Sequence, residues 1–224
     1  MAGGGQSAKR RRTGPGRPDL LEGSALTEAV VAGILLTGGG SARLGFDKAL
    51  LKVAGVSNAV RLGTALRQVA GGPVIEVGPG RSGLPAVLEQ PPGSGPLAAL
   101  CAGARALDVD GHRGPVLALA CDLPLMDAAV LKAIASRPGE ASVVPLVNGK
   151  LQPLCARWSA ADLALACRLV EEGERSMNAL LGRAIFATFG PGDWPVWIGE
   201  EAFADVDTPA DLEALGLSDQ RAEA

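Results

Sequence analysis

Short apolar runs alternate with segments of helical spacing along the chain. The continuous runs cover 30–36 (VVAGILL), 73–78 (PVIEVG) and 115–120 (PVLALA), a pattern typical of strands buried on both faces. In the intervening segments apolar residues recur every three or four positions, which indicates amphipathic helices. These predicted helices span 57–70, 95–107, 126–136, 159–173 and 208–216. The alternation predicts an α/β fold, with a mostly parallel sheet and helices on both faces.

Local signals mark several element ends. Ser57 is a possible helix cap, Ser159 is placed as another, and Thr208-Pro209 is typical of a helix start. Asn148-Gly149 separates two apolar segments and predicts a β-hairpin. In a parallel sheet ligands bind at the carboxyl ends of the strands, so the loops after 36, after 120 and around 89–95 are the candidate sites.

Charge is distributed unevenly along the chain. Residues 1–22 contain five basic and two acidic side chains, including the run KRRR, whereas the whole chain has a formal net charge of −3. A basic run can bind nucleic acid or act as a targeting signal, but this composition favours a solvated tail. We therefore predict a disordered basic tail (1–28), one folded domain (29–217) and a flexible end (218–224). The acidic domain argues against nucleic-acid binding.

The chain shows no signal-peptide pattern and no run of about 20 apolar residues that could cross a membrane. We expect a cytoplasmic protein without membrane contact. The four cysteines show no C-x-x-C spacing, and in that compartment we expect them to be free thiols, mostly in the core.

A glycine-rich loop follows the first predicted strand: TGGGSARLGFDK, residues 37–48. The dinucleotide fingerprint fails there because Arg43 occupies the third glycine position. The same mismatch weakens the alternative hypothesis of an NAD-dependent oxidoreductase. The P-loop pattern fails because Phe46 replaces its lysine. What remains is a glycine turn with Arg43 and Lys48, two cations suited to phosphate oxygens. A tight turn with two solvated charges is the plainer alternative.

Three aspartates are candidate metal ligands. Asp122 directly follows the strand 115–120, where a carboxylate could hold Mg²⁺ or cap the turn before the next helix. Asp205 and Asp207 alternate, so that in a strand they would face the same side. Either could be a second magnesium ligand, and Asp207 could instead assist the cap of the helix at Thr208.

The segments LLTGGGSARLGFDKALL, PPGSGPLAAL, ACDLPLM, QPLCARW, GERSMNALL and DVDTPADL occur in this order. Together they resemble the signature of the molybdenum cofactor guanylyltransferases over roughly residues 31–216. The resemblance implies a Rossmann-like, doubly wound domain of the nucleotide-diphospho-sugar transferase type. It also implies an Mg-dependent transfer of GMP from GTP to the phosphate of molybdopterin or its molybdenum-loaded form.

The resemblance assigns a role to each candidate residue. Arg43, Lys48 and Asp122 are the implied catalytic residues, and Asp122 and Asp207 the implied ligands of Mg²⁺. Arg175, Ser176 and Asp205 would contact the acceptor, although Ser176 is also a possible helix cap. The nucleotide would be bound by Leu36, Thr37, Gly38, Gly39, Arg43, Lys48, Glu89, Gly95, Pro96 and Asp122. GTP and a molybdopterin-type cofactor are the implied substrates, and other proteins of cofactor synthesis are possible transient partners.

Three positions depart from the family pattern, and the last of them bears on substrate choice. Thr37 replaces an alanine, Glu89 stands near a usual aspartate, and DVDTP replaces NxNTP. The related cytidylyltransferases often have aspartate in the last motif, so a cytidylyltransferase is one alternative. A non-catalytic nucleotide-binding regulator is the alternative from another class. The simultaneous presence of Arg43, Lys48 and Asp122 favours an enzyme.

Overall fold

The computed structural model describes Met1, residues 30–38 and residues 44–217. The predicted tail beyond Met1 and the predicted flexible end at 218–224 lie outside the described residues. So do Gly39 and Arg43 of the glycine loop.

Ten strands and six α-helices form within the described part of the chain. The strands are β1 (Ala32–Leu36), β2 (Lys52–Val53), β3 (Val56–Ser57), β4 (Val74–Val77), β5 (Ala86–Val87), β6 (Val116–Ala120), β7 (Ser142–Val147), β8 (Lys150–Leu151), β9 (Cys155–Trp158) and β10 (Phe186–Phe189). The helices are α1 (Asn58–Val69), α2 (Pro96–Val109), α3 (Ala128–Ala135), α4 (Ala160–Glu171), α5 (Met177–Leu181) and α6 (Pro209–Ala214). Two 3₁₀ turns cover Lys48–Leu50 and Glu200–Phe203.

The main sheet is mixed but mostly parallel. Its strand order is β10-β7-β9-β6-β1-β4-β5, with β8 paired to β7. β1 lies between β4 and β6 and is parallel to both, while β9 runs antiparallel to β6 and β7. The carboxyl ends of β1, β4 and β6 therefore meet at one edge, as the sequence predicts.

Helices cover both faces of this sheet, which confirms the predicted fold class. Successive side chains of a strand point to opposite faces. Leu35 of β1 accordingly packs with α1 and α3, whereas Ile34 and Leu36 pack with α2, α4 and α5. Leu62 of α1 and Leu100 of α2 are fully buried on the two sides.

Two hairpins have turns of the kind that needs positive φ angles. Asn148 (φ 49°) and Gly149 (φ 74°) join β7 to β8, which confirms the predicted hairpin. Ala54 (φ 50°) and Gly55 (φ 81°) join β2 to β3, a hairpin that the sequence pattern did not predict.

The predicted helix caps have mixed outcomes. Ser159 accepts a hydrogen bond from the Asp162 N–H, and Thr208 forms a capping box with Asp211. Ser57 occupies the cap position of α1 but makes no side-chain capping bond.

The expectation of four free thiols is wrong for one pair. Cys101 of α2 and Cys167 of α4 form a disulfide with a Cα–Cα distance of 5.0 Å. The helices pack face to face, and this brings together two residues that are 66 positions apart in sequence. Cys121 and Cys155 are free and buried, and burial raises the pKa of Cys121 to about 12.

Among the helices of the described residues, none is both long and apolar enough to cross a membrane.

Candidate nucleotide-binding site

A cavity of about 320 Å³ opens at the edge where β1 and β6 end. Most of the residues predicted to bind nucleotide surround it. The lining consists of Leu36, Thr37, Gly38, Asp47, Lys48, Glu89, Gly93, Gly95, Pro96, Ala99, Ala120, Cys121, Asp122 and Leu154. Segments that are far apart in sequence thus meet at the edge where ligands bind in α/β sheets.

The first wall of the cavity is the end of β1. Leu36 ends the strand, and the Thr37 N–H donates to the Val77 carbonyl of β4 at 3.0 Å, which extends the sheet by one position. The Thr37 hydroxyl donates to Glu76 Oε1 at 2.5 Å. A Cβ on Gly78 (φ +153°) would lie 2.0 Å from that hydroxyl, so the position needs glycine.

Glu76 is a structural residue of the site that the sequence analysis missed. Its side chain is fully buried and accepts hydrogen bonds from the Thr37 and Ser82 hydroxyls and from the N–H groups of Gly80, Arg81 and Ser82. Burial by itself raises the pKa of Glu76, but these donors outweigh burial and hold the pKa below its ordinary value. The carboxylate therefore ties the beginning of the glycine loop to the turn after β4.

Lys48 lies between two of the predicted metal ligands. Its Nζ donates to Asp207 Oδ1 and lies 3.8 Å from Asp122 Oδ2. Asp47 begins the 3₁₀ turn that contains Lys48, because its Oδ1 accepts from the Ala49 N–H at 3.0 Å. Its Oδ2 accepts from Arg81 Nε at 3.3 Å, which connects this turn to the loop held by Glu76.

Asp122 lies in a strongly acidic environment. Burial raises the pKa of Asp122; the positive charge of Lys48 opposes the change, while Asp205 and Asp207 add to it. Around Asp122 the acidic side chains outnumber the basic ones among the described residues. A bound divalent cation would therefore relieve the repulsion between the carboxylates. In the part of the chain that the structure describes, no three acidic, histidine or cysteine side chains come close enough to form a metal cage.

This donor set fits magnesium better than metals that need a protein cage. Mg²⁺ is usually bound through one or two carboxylates together with substrate phosphates and water. Asp122 lines the cavity and Asp207 contacts Lys48, which also lines it, so the two carboxylates lie on either side of one cation.

The DVDTP segment adopts no strand, so the two-residue alternation does not decide where its aspartates point. The Val206 N–H donates to the Asp122 carbonyl at 3.0 Å, which brings the segment beside Asp122. Asp205 is exposed, whereas Asp207 contacts Lys48. The side chain that closes the capping box of α6 is Asp211, which accepts from the N–H groups of Asp207 and Thr208.

The far wall of the cavity is the turn before α2. Glu89 is largely buried and accepts from the Gly93 N–H at 2.8 Å. Gly95 has φ +95°, and a Cβ at this position would lie 3.1 Å from the Arg175 carbonyl. Pro96 occupies the first turn of α2, as the sequence predicts.

Two of the predicted acceptor residues lie beside the cavity but do not line it. Ser176 caps α5 by accepting from the Asn178 N–H at 3.1 Å. The Arg175 guanidinium donates to the carbonyls of Val170 and Glu174, and its own carbonyl accepts from the Leu97 N–H. The predicted acceptor roles of both residues remain predictions.

A second cavity of about 320 Å³ lies at the opposite edge of the sheet, between α2 and α4. Its floor is apolar, and Arg105 and Arg113 at its rim are paired with Glu171 and Asp108. It contains none of the predicted site residues.

The fold and the first cavity define an α/β protein with a candidate ligand site at the carboxyl edge of its sheet. A family model described as the MobA-like NTP transferase domain matches residues 33–185. The chain belongs to this family of nucleotidyltransferases.

Named relatives agree with the family match. A protein of Opitutus terrae, described as a probable molybdenum cofactor guanylyltransferase, is 33% identical over 70% of this chain and 80% of its own length. The molybdenum cofactor guanylyltransferase of Rhodobacter capsulatus is 30% identical over 81% of this chain and 93% of its own length.

Solved structures support the fold. Molybdopterin-guanine dinucleotide biosynthesis protein A of Archaeoglobus fulgidus superposes with a TM-score of 0.68 at 18% identity, covering 82% of this chain and 96% of that protein. The 2-C-methyl-D-erythritol 4-phosphate cytidylyltransferase of Thermus thermophilus superposes with a TM-score of 0.55 at 15% identity, covering 83% and 96%. Both have the nucleotide-diphospho-sugar transferase architecture predicted for this chain.

Proposed function

We propose that this protein transfers GMP from GTP to the phosphate of a molybdopterin-type cofactor, with release of pyrophosphate. The observation that carries the proposal is the meeting of Leu36–Gly38, Lys48, Gly95-Pro96 and Asp122 around one cavity. Guanylyltransferase names among the relatives favour GTP over CTP.

The chemistry is a single displacement at phosphorus. An oxygen of the acceptor phosphate forms a bond to the α-phosphorus of GTP, and the bond from that phosphorus to the oxygen bridging to the β-phosphate breaks. The electron pair leaves with pyrophosphate. The acceptor phosphate is already ionised at neutral pH, so no protein side chain has to act as nucleophile or base.

The contribution of the chain is positioning and charge neutralisation. The backbone of Thr37 and Gly38 and the Gly95-Pro96 turn enclose the nucleotide, and Lys48 supplies positive charge near the phosphates. Asp122, with Asp207, would hold Mg²⁺, which neutralises charge on the phosphate oxygens. Arg43 would add a second cation, and Arg175, Ser176 and Asp205 would contact the acceptor from beside the cavity.

The test is a turnover assay with GTP, CTP or ATP, each with and without Mg²⁺ and a molybdopterin-type acceptor. We expect pyrophosphate only when GTP, Mg²⁺ and acceptor are all present, and a product heavier by one GMP unit in mass spectrometry. Turnover with CTP instead would identify a cytidylyltransferase. Triphosphate binding without pyrophosphate release would favour a non-catalytic regulator and contradict the proposal.

A further inference from the structure

The loop between β6 and α3, residues 121–127, contains Asp122, and most of its carbonyl oxygens accept hydrogen bonds. The Cys121 carbonyl accepts from Asn58 Nδ2 at 2.7 Å. The Asp122 carbonyl accepts from the Val206 N–H at 3.0 Å. Main-chain groups on both sides of the Asp122 side chain are thus held from outside the loop.

Arg61 of α1 binds three further carbonyls of this loop. Its Nη1 donates to the Met126 carbonyl at 2.5 Å. Its Nη2 donates to the Pro124 carbonyl at 2.6 Å and to the Leu123 carbonyl at 3.3 Å. One planar guanidinium therefore contacts three carbonyls of the same short loop.

The guanidinium is itself held in place by Asn58. Arg61 Nε and Nη2 donate to Asn58 Oδ1 at 3.2 and 2.8 Å, and the Asn58 side chain is fully buried. Asn58 and Arg61 are one turn apart on α1, so both face the loop. Lysine, with a single ammonium group, cannot reproduce this set of contacts.

We infer that Arg61, acting with Asn58 through the carbonyls of residues 121–126, is a positioning residue that fixes Asp122 for divalent-metal binding. The inference rests on the proposed function. Burial lowers the pKa of Arg61 while Asp127 opposes that shift, so burying the guanidinium carries a cost that its hydrogen bonds offset. A residue that orients a metal ligand typically changes metal affinity or activity about 10- to 100-fold when mutated.

The experiment compares Arg61→Gln and Arg61→Lys with Arg67→Gln. Arg67 is the matched control, because it lies on the exposed face of the same helix, away from the loop. Three quantities are measured for each protein: Mn²⁺ affinity by electron paramagnetic resonance, amide hydrogen exchange of residues 119–127, and turnover with GTP. Circular dichroism establishes which variants are folded, and Arg61→Lys keeps the test decisive if Arg61→Gln does not fold.

We expect Arg61→Gln to bind Mn²⁺ about tenfold more weakly and to exchange the loop amides faster than the wild-type protein. Arg61→Lys should be intermediate, and Arg67→Gln should match the wild-type protein in all three measurements. Wild-type Mn²⁺ affinity or wild-type loop exchange in a folded Arg61 variant would overturn the inference, as would a wild-type protein that binds no Mn²⁺. Loss of Mn²⁺ affinity in the Arg61 variants, when the wild-type protein itself does not turn over GTP, would overturn only the proposed function.

Discussion

Replacing Asp122 is expected to lower activity without lowering stability. Because its folded pKa is raised, mainly by burial, its ionised form is less favourable in the folded than in the unfolded protein. That penalty is present at neutral pH and disappears as the pH falls through the folded pKa. Asp122→Asn should therefore lower turnover at least about 100-fold, because a metal ligand is lost, while the thermal midpoint stays the same or rises.

Turnover and thermal denaturation at pH 7 check this expectation together. Asp110→Asn is the control, since Asp110 is exposed at the opposite end of α2. An active Asp122→Asn variant would contradict the metal assignment, and an inactive variant that has lost stability would point to a purely structural role.

Lys48 should discriminate phosphates from the rest of the nucleotide. Lys48→Met removes the positive charge beside Asp122 and Asp207. We expect at least about tenfold weaker GTP binding with little change for guanosine, because a point charge acts mainly on the phosphates. Calorimetric titration of both ligands measures the difference. Equal losses for GTP and guanosine would count against a phosphate role.

Glu76 should make stability depend on pH in the acid range. Its folded pKa is lowered, so its contribution is fully present above the ordinary value of 4.5 and is lost as the pH falls through the folded pKa. Glu76→Gln should destabilise the protein by about 1–3 kcal/mol at pH 7, because an amide NH₂ then faces buried N–H donors. Urea denaturation from pH 7 to pH 3 should show the wild-type advantage shrinking toward the acid end.

Glu140→Gln, at an exposed position, provides the comparison for Glu76. A difference between wild type and Glu76→Gln that stays constant below pH 4.5 would show that the charge of Glu76 is not what stabilises this region.

At the scale of elements, the cap of α6 connects helix stability to the site. Thr208 accepts from the Asp211 N–H, and Asp211 holds the N–H groups of Asp207 and Thr208, next to the contact between Asp207 and Lys48. Thr208→Ala should cost about 1 kcal/mol and also lower turnover.

Ser159→Ala removes a cap of the same kind from α4, at the opposite edge of the sheet. We expect a similar loss of stability from denaturation curves but wild-type turnover. If the two variants lose activity equally, cap loss acts through general destabilisation and not through Asp207.

Most elements that the sequence predicted correctly have a strong periodic pattern, whereas the β7–β8 hairpin and α6 were predicted from turn and cap signals. β1 and β6 are continuous apolar runs buried on both faces, β4 is an apolar run interrupted by Glu76, and α1 to α4 have a clear apolar stripe. β2, β3 and β5 span only two residues each and carry no such pattern, because backbone pairing with a neighbour defines them. Such pairing depends on tertiary contacts that a single sequence does not contain.

The site residues also divide into those that the sequence predicted and those that it did not. Lys48, Asp122 and Gly95 follow recognisable motifs, and the structure brings them to one cavity. Arg61 and Glu76 gave no signal, because an arginine in an amphipathic helix is usually solvated and a glutamate inside PVIEV interrupts an apolar run without suggesting a partner. Each of these residues also has partners in distant segments, up to 65 positions away for Arg61 and 39 for Glu76.

At the scale of the whole molecule, the disulfide joins α2, which borders the site, to α4. Cys101 lies in α2, whose first turn lines the cavity, and Cys167 lies in α4, which leads to the Arg175 carbonyl that contacts Leu97. The predicted cytoplasmic location makes the redox state of this pair an experimental variable, because such compartments keep most thiols reduced.

Reduction should therefore destabilise the wild-type protein. Opening a cross-link that closes a 66-residue loop typically costs about 2–4 kcal/mol, so the thermal midpoint should fall when dithiothreitol is added. The double variant Cys101→Ala/Cys167→Ala should denature at a lower temperature that is independent of reductant. Without reductant, thiol titration of the unfolded wild-type protein should count only Cys121 and Cys155, because Cys101 and Cys167 are joined in the disulfide. In the native protein, burial of the two free thiols protects them from exchange with that disulfide. A count that includes all four cysteines, together with a midpoint insensitive to dithiothreitol, would show that α2 and α4 are held by packing alone.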